Sequence, residues 1–285
     1  MNMDLVALKI FKAVAEQGGI TKAAAALHRV QSNVTTRVKQ LEQRLGTQLF
    51  HRQGRKLVLS AEGKLLLGYA ERLLRLSAEA QSALHGRAPR GVLKVGALES
   101  TAATRLPPVL ARYHRAHPAV KLELVTGTTG ALVDKLARED LDAAFIAEPF
   151  TASGLQTQHV YTEELVLITA KEHPRIASPA DIAQRTLLAF TTGCAYRRRL
   201  EMWLGRSRVV AERVMEYGSY HAIVACAAAG GGIAVVPRSV LRATGMEAQL
   251  AVHPLPPKIA RAKTMLAWRR GHDSSALDAL RKELA

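Results

Sequence analysis

The run Gly19-Ile20-Thr21-Lys22-Ala23-Ala24-Ala25-Ala26-Leu27-His28, continued after Arg29-Val30 by Gln31-Ser32-Asn33-Val34-Thr35-Thr36-Arg37-Val38-Lys39, decides how this chain is read. Thr21 is a helix-capping residue type, and Lys22 to His28 then forms a short helix whose alanines let a second helix approach closely. Ser32 can cap a further helix, Asn33 to Leu45, with Val34, Val38, Leu41 and Leu45 on one face and Gly46 as its stop. Upstream, Asp4 to Gln17 places Leu5, Leu8, Phe11 and Ala15 at helical spacing and ends at Gly18-Gly19. The three helices make a tri-helical unit whose last pair has the spacing of a helix-turn-helix.

In such a pair the second helix enters the DNA major groove and presents its N-terminal side chains to base edges. Here those are Gln31, Ser32, Asn33, Thr35, Thr36 and Arg37. Gln and Asn can pair with adenine, Arg with guanine, and Thr can offer its methyl to thymine. Lys39 lies further along and suits a phosphate, and Thr21 is counted with the DNA-facing residues. The competing account is a polar, solvated helix face.

Outward from this unit, Leu49 to Arg52 and Leu57 to Leu59 read as two short strands about a turn, a wing with Arg55 and Lys56 at its tip as phosphate contacts. Ser60 then caps a long helix to about His85, in which Leu66, Ala70, Leu73, Ser77, Ala80 and Leu84 form a seam suited to pairing with a second copy. The alternative is a single helix packed on its own domain. Gly86 to Arg90 is read as a hinge. The division is thus 1–59 reader, 60–90 linker, 91–285 second domain.

Composition supports this. The chain has 285 residues, 48% hydrophobic and 22% charged, with a formal charge of +16, the balance of an ordinary globular protein with a polyanionic partner. Residues 1–90 hold 15 Lys/Arg against 6 Asp/Glu, more than half of the excess in the first third. The longest apolar stretches, Ala222 to Ala229 and Ile233 to Val236, are too short to span a bilayer, and the N-terminus lacks the pattern of a secretory signal. The expectation is a cytoplasmic protein with no membrane partner. Cys194 and Cys226 lie too far apart for a CxxC site and read as reduced thiols, with no metal and no cofactor.

From Gly91 the pattern changes to alternating strands and helices. Strands are expected at Val92 to Ala97, Val120 to Val125, Ala143 to Ile146, Leu165 to Thr169, Leu187 to Phe190 and Ile233 to Val236. Helices are expected at Pro107 to His117, Thr129 to Arg138, Ala180 to Gln184, Arg197 to Leu204 and His221 to Ala229. The alternation predicts a mostly parallel sheet in two similar lobes with a ligand-binding cleft between them, so α+β overall. Gly230-Gly231-Gly232 is a helix-to-strand turn rather than a dinucleotide fingerprint.

The run Gly19 to His28, with Gln31 to Thr35, Leu41-Glu42, Leu45-Gly46, Leu49-Phe50-His51-Arg52 and Leu59-Ser60-Ala61-Glu62-Gly63, closely resembles the DNA-binding signature of LysR-type transcriptional regulators. The remainder is similar to that family's two-lobed effector-binding domain, which resembles periplasmic binding proteins. Family members often have Ser-Gln-Pro-Ala-Val-Ser where this chain has Val30 to Thr35, which changes the expected operator rather than the fold. The resemblance implies that Arg52 makes a minor-groove or phosphate contact; its alternative is a salt bridge within the domain. It also implies a cleft edged by Ser100, Thr101, Thr126, Thr128 and Thr129 from one lobe and by Cys194, Tyr196, Arg197, Ser219, Tyr220 and His221 from the other. Ser100, Thr101 and Thr129 could instead be helix caps, and His221 a surface or core group.

Arg197 could hold a carboxylate, so a carboxylate-bearing effector is expected. The implied partners are an operator, a small molecule and further copies of the chain, as dimer or tetramer, with RNA polymerase a candidate. The nearest kin by resemblance serve amine or amino-acid catabolism. An enzyme is disfavoured by the absence of a Gly-x-Ser-x-Gly elbow, metal-ligand spacing or phosphate loop. An exported solute-binding protein would lack the DNA-binding unit. A thiol redox sensor built on Cys194 is the alternative on the same scaffold.

Overall fold

Asp4 stands in extended conformation and accepts the Ala7 amide at 2.7 Å, which starts helix α1, Leu5–Gln17. The computed structural model describes residues 3–54, 56–84, 88–151, 153–182, 186–272 and 274–284. After α1 come α2 (Ile20–Ala26), α3 (Gln31–Leu45), the wing strands β1 (Phe50–Gln53) and β2 (Lys56–Leu59), and α4 (Ala61–Leu84).

Two helix starts differ from expectation. Helix α2 begins at Ile20 behind Gly19, so Thr21 lies inside its first turn; α3 begins at Gln31 behind Val30, so Ser32 is also helical. Neither preceding residue caps through a side chain. Ser60 does cap α4 as expected, accepting the Gly63 amide at 2.8 Å while its hydroxyl donates to the Gln48 carbonyl. Ala23 and Ala24 are fully buried, the close approach that their size permits, beneath a core of Leu8, Phe11, Val34, Val38, Leu41 and Phe50. Phe11 and Phe50 rings sit 5.4 Å apart.

Residues 1–87 form one folding unit, so the long helix belongs with the reader instead of standing apart as a linker. The physical reason is visible in its seam. Leu66 and Ala70 are buried in the reader's own core. The apolar face left exposed is Leu65, Tyr69, Leu73 and Leu76, a stripe that shares Leu73 with the expected seam and otherwise lies to one side of it. The hinge Gly86 to Arg90 and the helix end at His85 lie partly outside the described residues.

Residues 88–285 form the second unit. Its first elements are β3 (Gly91–Ala97), α5 (Glu99–Thr104), α6 (Leu106–Ala116), β4 (Val120–Thr126), α7 (Thr129–Ala137) and β5 (Ala143–Ala147). The long strand β6 (Leu155–Ala170) follows, then β7 (Thr186–Phe190), α8 (Ala195–Arg206), β8 (Arg213–Tyr217) and α9 (Tyr220–Ala228). The chain ends with β9 (Ala234–Pro237), α10 (Arg238–Thr244), β10 (Leu250–Pro254), α11 (Pro257–Ala260), β11 (Arg261–Arg269) and α12 (Ser275–Glu283).

Strand β6 links the two lobes. Its first half pairs antiparallel with β11, which pairs antiparallel with β5, and β5, β3 and β4 continue in parallel. Its second half pairs antiparallel with β9 and β10, while β7 pairs in parallel with β8 and touches Ile233. The sheets are therefore mixed rather than mostly parallel. The difference comes from β6, β10 and β11, late strands that return against the first set. β11 joins the first lobe although it is the last strand in sequence. The expected helix Ala180 to Gln184 is a single tight turn at Pro179–Asp181, and residues 183–185 lie outside the described ones. The triple glycine is a helix-to-strand turn as read; a Cβ on Gly232 would lie 2.4 Å from the Thr186 carbonyl oxygen.

Candidate functional site

Two surfaces carry the residues singled out by sequence, one on each unit. On the first, α3 buries Val34, Val38 and Leu41 and turns the opposite side outward. Gln31, Ser32, Asn33, Thr36 and Lys39 are exposed there, as expected of a reading face. Thr35 is half-buried, and its hydroxyl donates to the Gln31 carbonyl at 3.0 Å, so it is already used inside the helix. Arg37 lies 3.9 Å from Asp4, the cap of α1, and Arg44 lies 3.7 Å from the same carboxylate. Arg37 thus stands at the edge of the outward face, beside α1, with its side chain still partly exposed.

Thr21 is exposed on the first turn of α2. Arg52 is exposed on β1, where the expected alternative was an internal salt bridge. Lys56 pairs through its backbone with Gln53 at the end of the wing, and Arg55 lies outside the described residues. Two residues were missed. Val30, in the turn before α3, is 73% exposed, and Gln40 is exposed one turn beyond Thr36. The i, i+3, i+4, i+7 series from Asn33 would have found Gln40.

In the second unit, β3 delivers Glu99, Ser100 and Thr101 to the start of α5, while α8 and α9 deliver Cys194, Tyr196 and Tyr220 from the other lobe. Ser100, Thr101, Tyr196 and Thr264 are all at most 2% exposed, and their hydroxyl oxygens have no hydrogen-bond partner among the described residues. The Tyr196 hydroxyl faces Ser100 and Thr264. An unsatisfied buried hydroxyl costs about 1–3 kcal/mol, so a group of them marks a place that a polar guest would fill.

The lobes meet around these residues. The Gly130 amide donates to the Gly193 carbonyl at 3.3 Å, and the Glu99 carboxylate accepts from the Tyr220 backbone. Burial raises the pKa values of Glu99, Cys194, Tyr196 and Tyr220 above their ordinary values. Cys194 Sγ sits 3.7 Å from the Tyr220 hydroxyl, and the Tyr220 ring stacks on Phe190 at 5.1 Å.

Several expected cleft residues do other work. Thr128 caps α7 through the Ala131 amide, and the Thr129 hydroxyl ties to both the amide and the carbonyl of Ala147 at 3.3 Å. Thr126 is exposed at the end of β4, and His221 is exposed on α9. Ser219 precedes α9 without capping through its side chain. Arg197 donates to Glu201 at 2.7 Å and pairs with Glu216, so it is no free holder of a carboxylate. On α8, Arg199 is buried and donates to the carbonyls of Glu148, Lys258, Ile259 and Arg261.

Sequence reasoning missed Glu99, Arg105, Glu163 and Thr264. Glu163 is 2% exposed, paired with Arg105 at 2.7 Å and with Ser239 at 2.8 Å. Its place at the start of the apolar run Leu165 to Ile168 was the available signal. Thr264 sits at an inward position of the alternating strand β11, where Ala262 and Leu266 are its buried neighbours.

Residues 5–64 match the family described as bacterial regulatory helix-turn-helix protein, lysR family, and residues 86–285 match the LysR substrate binding domain. The HTH-type transcriptional regulator YusT of Bacillus subtilis (strain 168), itself described as uncharacterized, is 42% identical over 96% of this chain and 92% of its own length. The HTH-type transcriptional regulator GltR of the same organism is 38% identical over 95% and 91%. Among solved structures, a full-length OxyR variant from Pseudomonas aeruginosa superposes with a TM-score of 0.74 at 23% identity, covering 100% of this chain and 95% of that one. Full-length CbnR complexed with its target DNA gives 0.69 at 22% identity, covering 99% of both chains. With both domains matched in order across nearly the whole sequence, the chain belongs to the LysR family of bacterial transcriptional regulators.

Proposed function

We propose that this chain binds a specific operator through α3 and the wing, and that a small molecule in the cleft of its second unit changes operator binding or DNA bending. The observation that carries the reading is the division of α3. Its buried side is wholly apolar, whereas its outward side offers Gln31, Ser32, Asn33 and Thr36 with Lys39 behind them. Such a face suits base edges flanked by a phosphate contact. Arg52 extends the same surface on the wing.

The exposed stripe Leu65, Tyr69, Leu73 and Leu76 on α4 supports self-association, as a dimer and, by family resemblance, a tetramer. Two readers then meet half-sites about 34–36 Å apart or a multiple of it. A cytoplasmic location and contact with RNA polymerase go with that role. No described helix is long and apolar enough to cross a membrane. The kinship with members serving amine or amino-acid catabolism rests on sequence resemblance alone. The expected effector carboxylate loses Arg197 as its holder. The redox alternative gains no support from Cys194, because burial holds its thiol up and away from the reactive thiolate.

The test is a footprint of the purified protein on DNA flanking its coding region, repeated across salt concentrations. Protection of a partly palindromic site is expected. Binding that is salt-sensitive but blind to sequence would sink the operator reading.

A further inference from the structure

The buried hydroxyls of Ser100, Tyr196 and Thr264 face one another without closing direct hydrogen bonds, and the charges around them decide the sign of a guest that would join them. Arg105 is held by Glu163, and Arg197 by Glu201 and Glu216. Arg199 spends its donors on four backbone carbonyls. Each of these guanidinium groups is committed. Against them, Glu99 keeps one carboxylate oxygen, Oε2, buried and without a hydrogen-bond partner among the described residues, while the carboxylate also accepts from the Tyr220 backbone and feels the exposed His221.

The acidic groups of the same region, Glu99, Cys194, Tyr196 and Tyr220, all resist ionisation, chiefly through burial. A further negative charge there would meet the Glu99 carboxylate, and the guanidinium groups of Arg105, Arg197 and Arg199 are already engaged, which leaves the exposed His221 as the basic group beside it. A positive charge would find an unpaired carboxylate oxygen and a ring of hydroxyl acceptors.

We propose that this cleft takes a small molecule bearing an ammonium group, which Glu99 pairs with while Ser100, Tyr196 and Thr264 accept its remaining hydrogen bonds. This deepens the effector reading above and rests on it.

The experiment uses the full chain with three matched probes at one ionic strength: n-butylammonium chloride, sodium butyrate and 1-butanol. Thermal melting and titration calorimetry read their binding. Butylammonium is expected to raise the melting temperature of the second unit in a saturable way, with no saturable rise from butyrate or butanol. Glu99→Gln is expected to weaken butylammonium binding at least tenfold, and the isosteric Thr264→Val several-fold, each compared with its own unliganded melt. If Glu99→Gln does not fold, Thr264→Val and Ser100→Ala carry the comparison. Stabilisation by butyrate, undiminished binding by the variants, or no saturable response to butylammonium would each overturn the inference. A gel-shift assay on the operator without probe separates the two readings: an operator bound normally by a protein indifferent to butylammonium leaves the regulator intact and removes only the ammonium site.

Discussion

The Gly130 amide and the Gly193 carbonyl are 3.3 Å apart, a hydrogen bond that ties the start of α7 to the loop after β7 across the cleft. Gly193 has a φ of +93°, and a Cβ placed there would come 2.8 Å from Thr128 Oγ1. The backbone conformation and the close approach both require glycine.

Gly193→Ala should therefore destabilise the second unit by about 1–3 kcal/mol, the scale of a strained backbone plus a close contact. Differential scanning calorimetry should show the loss in the transition of residues 88–285 and leave that of residues 1–87 in place. An unchanged pair of transitions would mean that the lobes do not need this approach.

On α3, Asn33→Ala should cost about 1–3 kcal/mol of discrimination against altered bases at one operator position, with the salt dependence kept. Lys39→Ala should weaken binding to every sequence alike and reduce the salt slope by about 0.9 for the one phosphate lost. Competition gel shifts with substituted operators, run across a salt series, separate the two effects.

Leu76→Asp, in the exposed stripe of α4, should shift the protein toward monomers in sedimentation equilibrium without unfolding the reader. Leu66→Ala, ten residues earlier on the same helix, should instead cost about 2–5 kcal/mol of reader stability, because Leu66 is 9% exposed in that unit's core. Reversal of these two outcomes would restore the seam expected from sequence.

His253 gives the second unit a pH dependence of definite sign. It is buried, its Nδ1 accepts the Ile176 amide at 3.1 Å, its Nε2 lies 2.9 Å from Thr169 Oγ1, and the His173 ring stands edge-on at 6.0 Å. Burial, helped by His173, lowers its pKa below the ordinary histidine value. The unfolded chain binds a proton near pH 6.5 that the folded chain refuses, so stability is present above that pH and is lost as pH falls through it. The melting temperature should drop between pH 7 and pH 5 with a slope of up to about one proton from this group. In His253→Asn that slope should flatten, whatever the variant's cost at pH 7.

Cys194 should react slowly with iodoacetamide and with peroxide at neutral pH, since burial disfavours its thiolate. Operator footprints taken before and after mild peroxide should coincide. A peroxide-dependent footprint that Cys194→Ser abolishes would bring the redox reading back.

Local pattern alone was enough for the reader. The first and third helices of residues 1–45 declare themselves by period and by their glycine stops at Gly18 and Gly46, and the wing follows from a turn between two apolar pairs. Gln31, Ser32, Asn33, Thr36 and Lys39 could be assigned to one outward face because helical period relates neighbours in sequence to neighbours on the surface. Even there, the contact between Asp4 and Arg37 joins residues 33 positions apart, and the burial of Leu66 in the reader core is a packing choice that a heptad pattern does not specify.

The second unit was legible in its elements but not in its assembly. Strand β11 carries Thr264 from near the end of the chain to the cleft opened by β3, and Glu163 reaches Arg105 from another strand. No local period encodes such pairings. The sequence by itself determined the family, the order of most of the elements and some of the polar residues gathered around Tyr196, Ser100 among them. Only the tertiary structure decided which of those residues are spent on the protein's own bonds, as Arg197 and Thr129 are, and which are left unsatisfied, as Ser100 and Tyr196 are. A side chain's hydrogen-bonding capacity is a property of its sequence, whereas its unfilled part is set by neighbours that arrive from distant strands and helices.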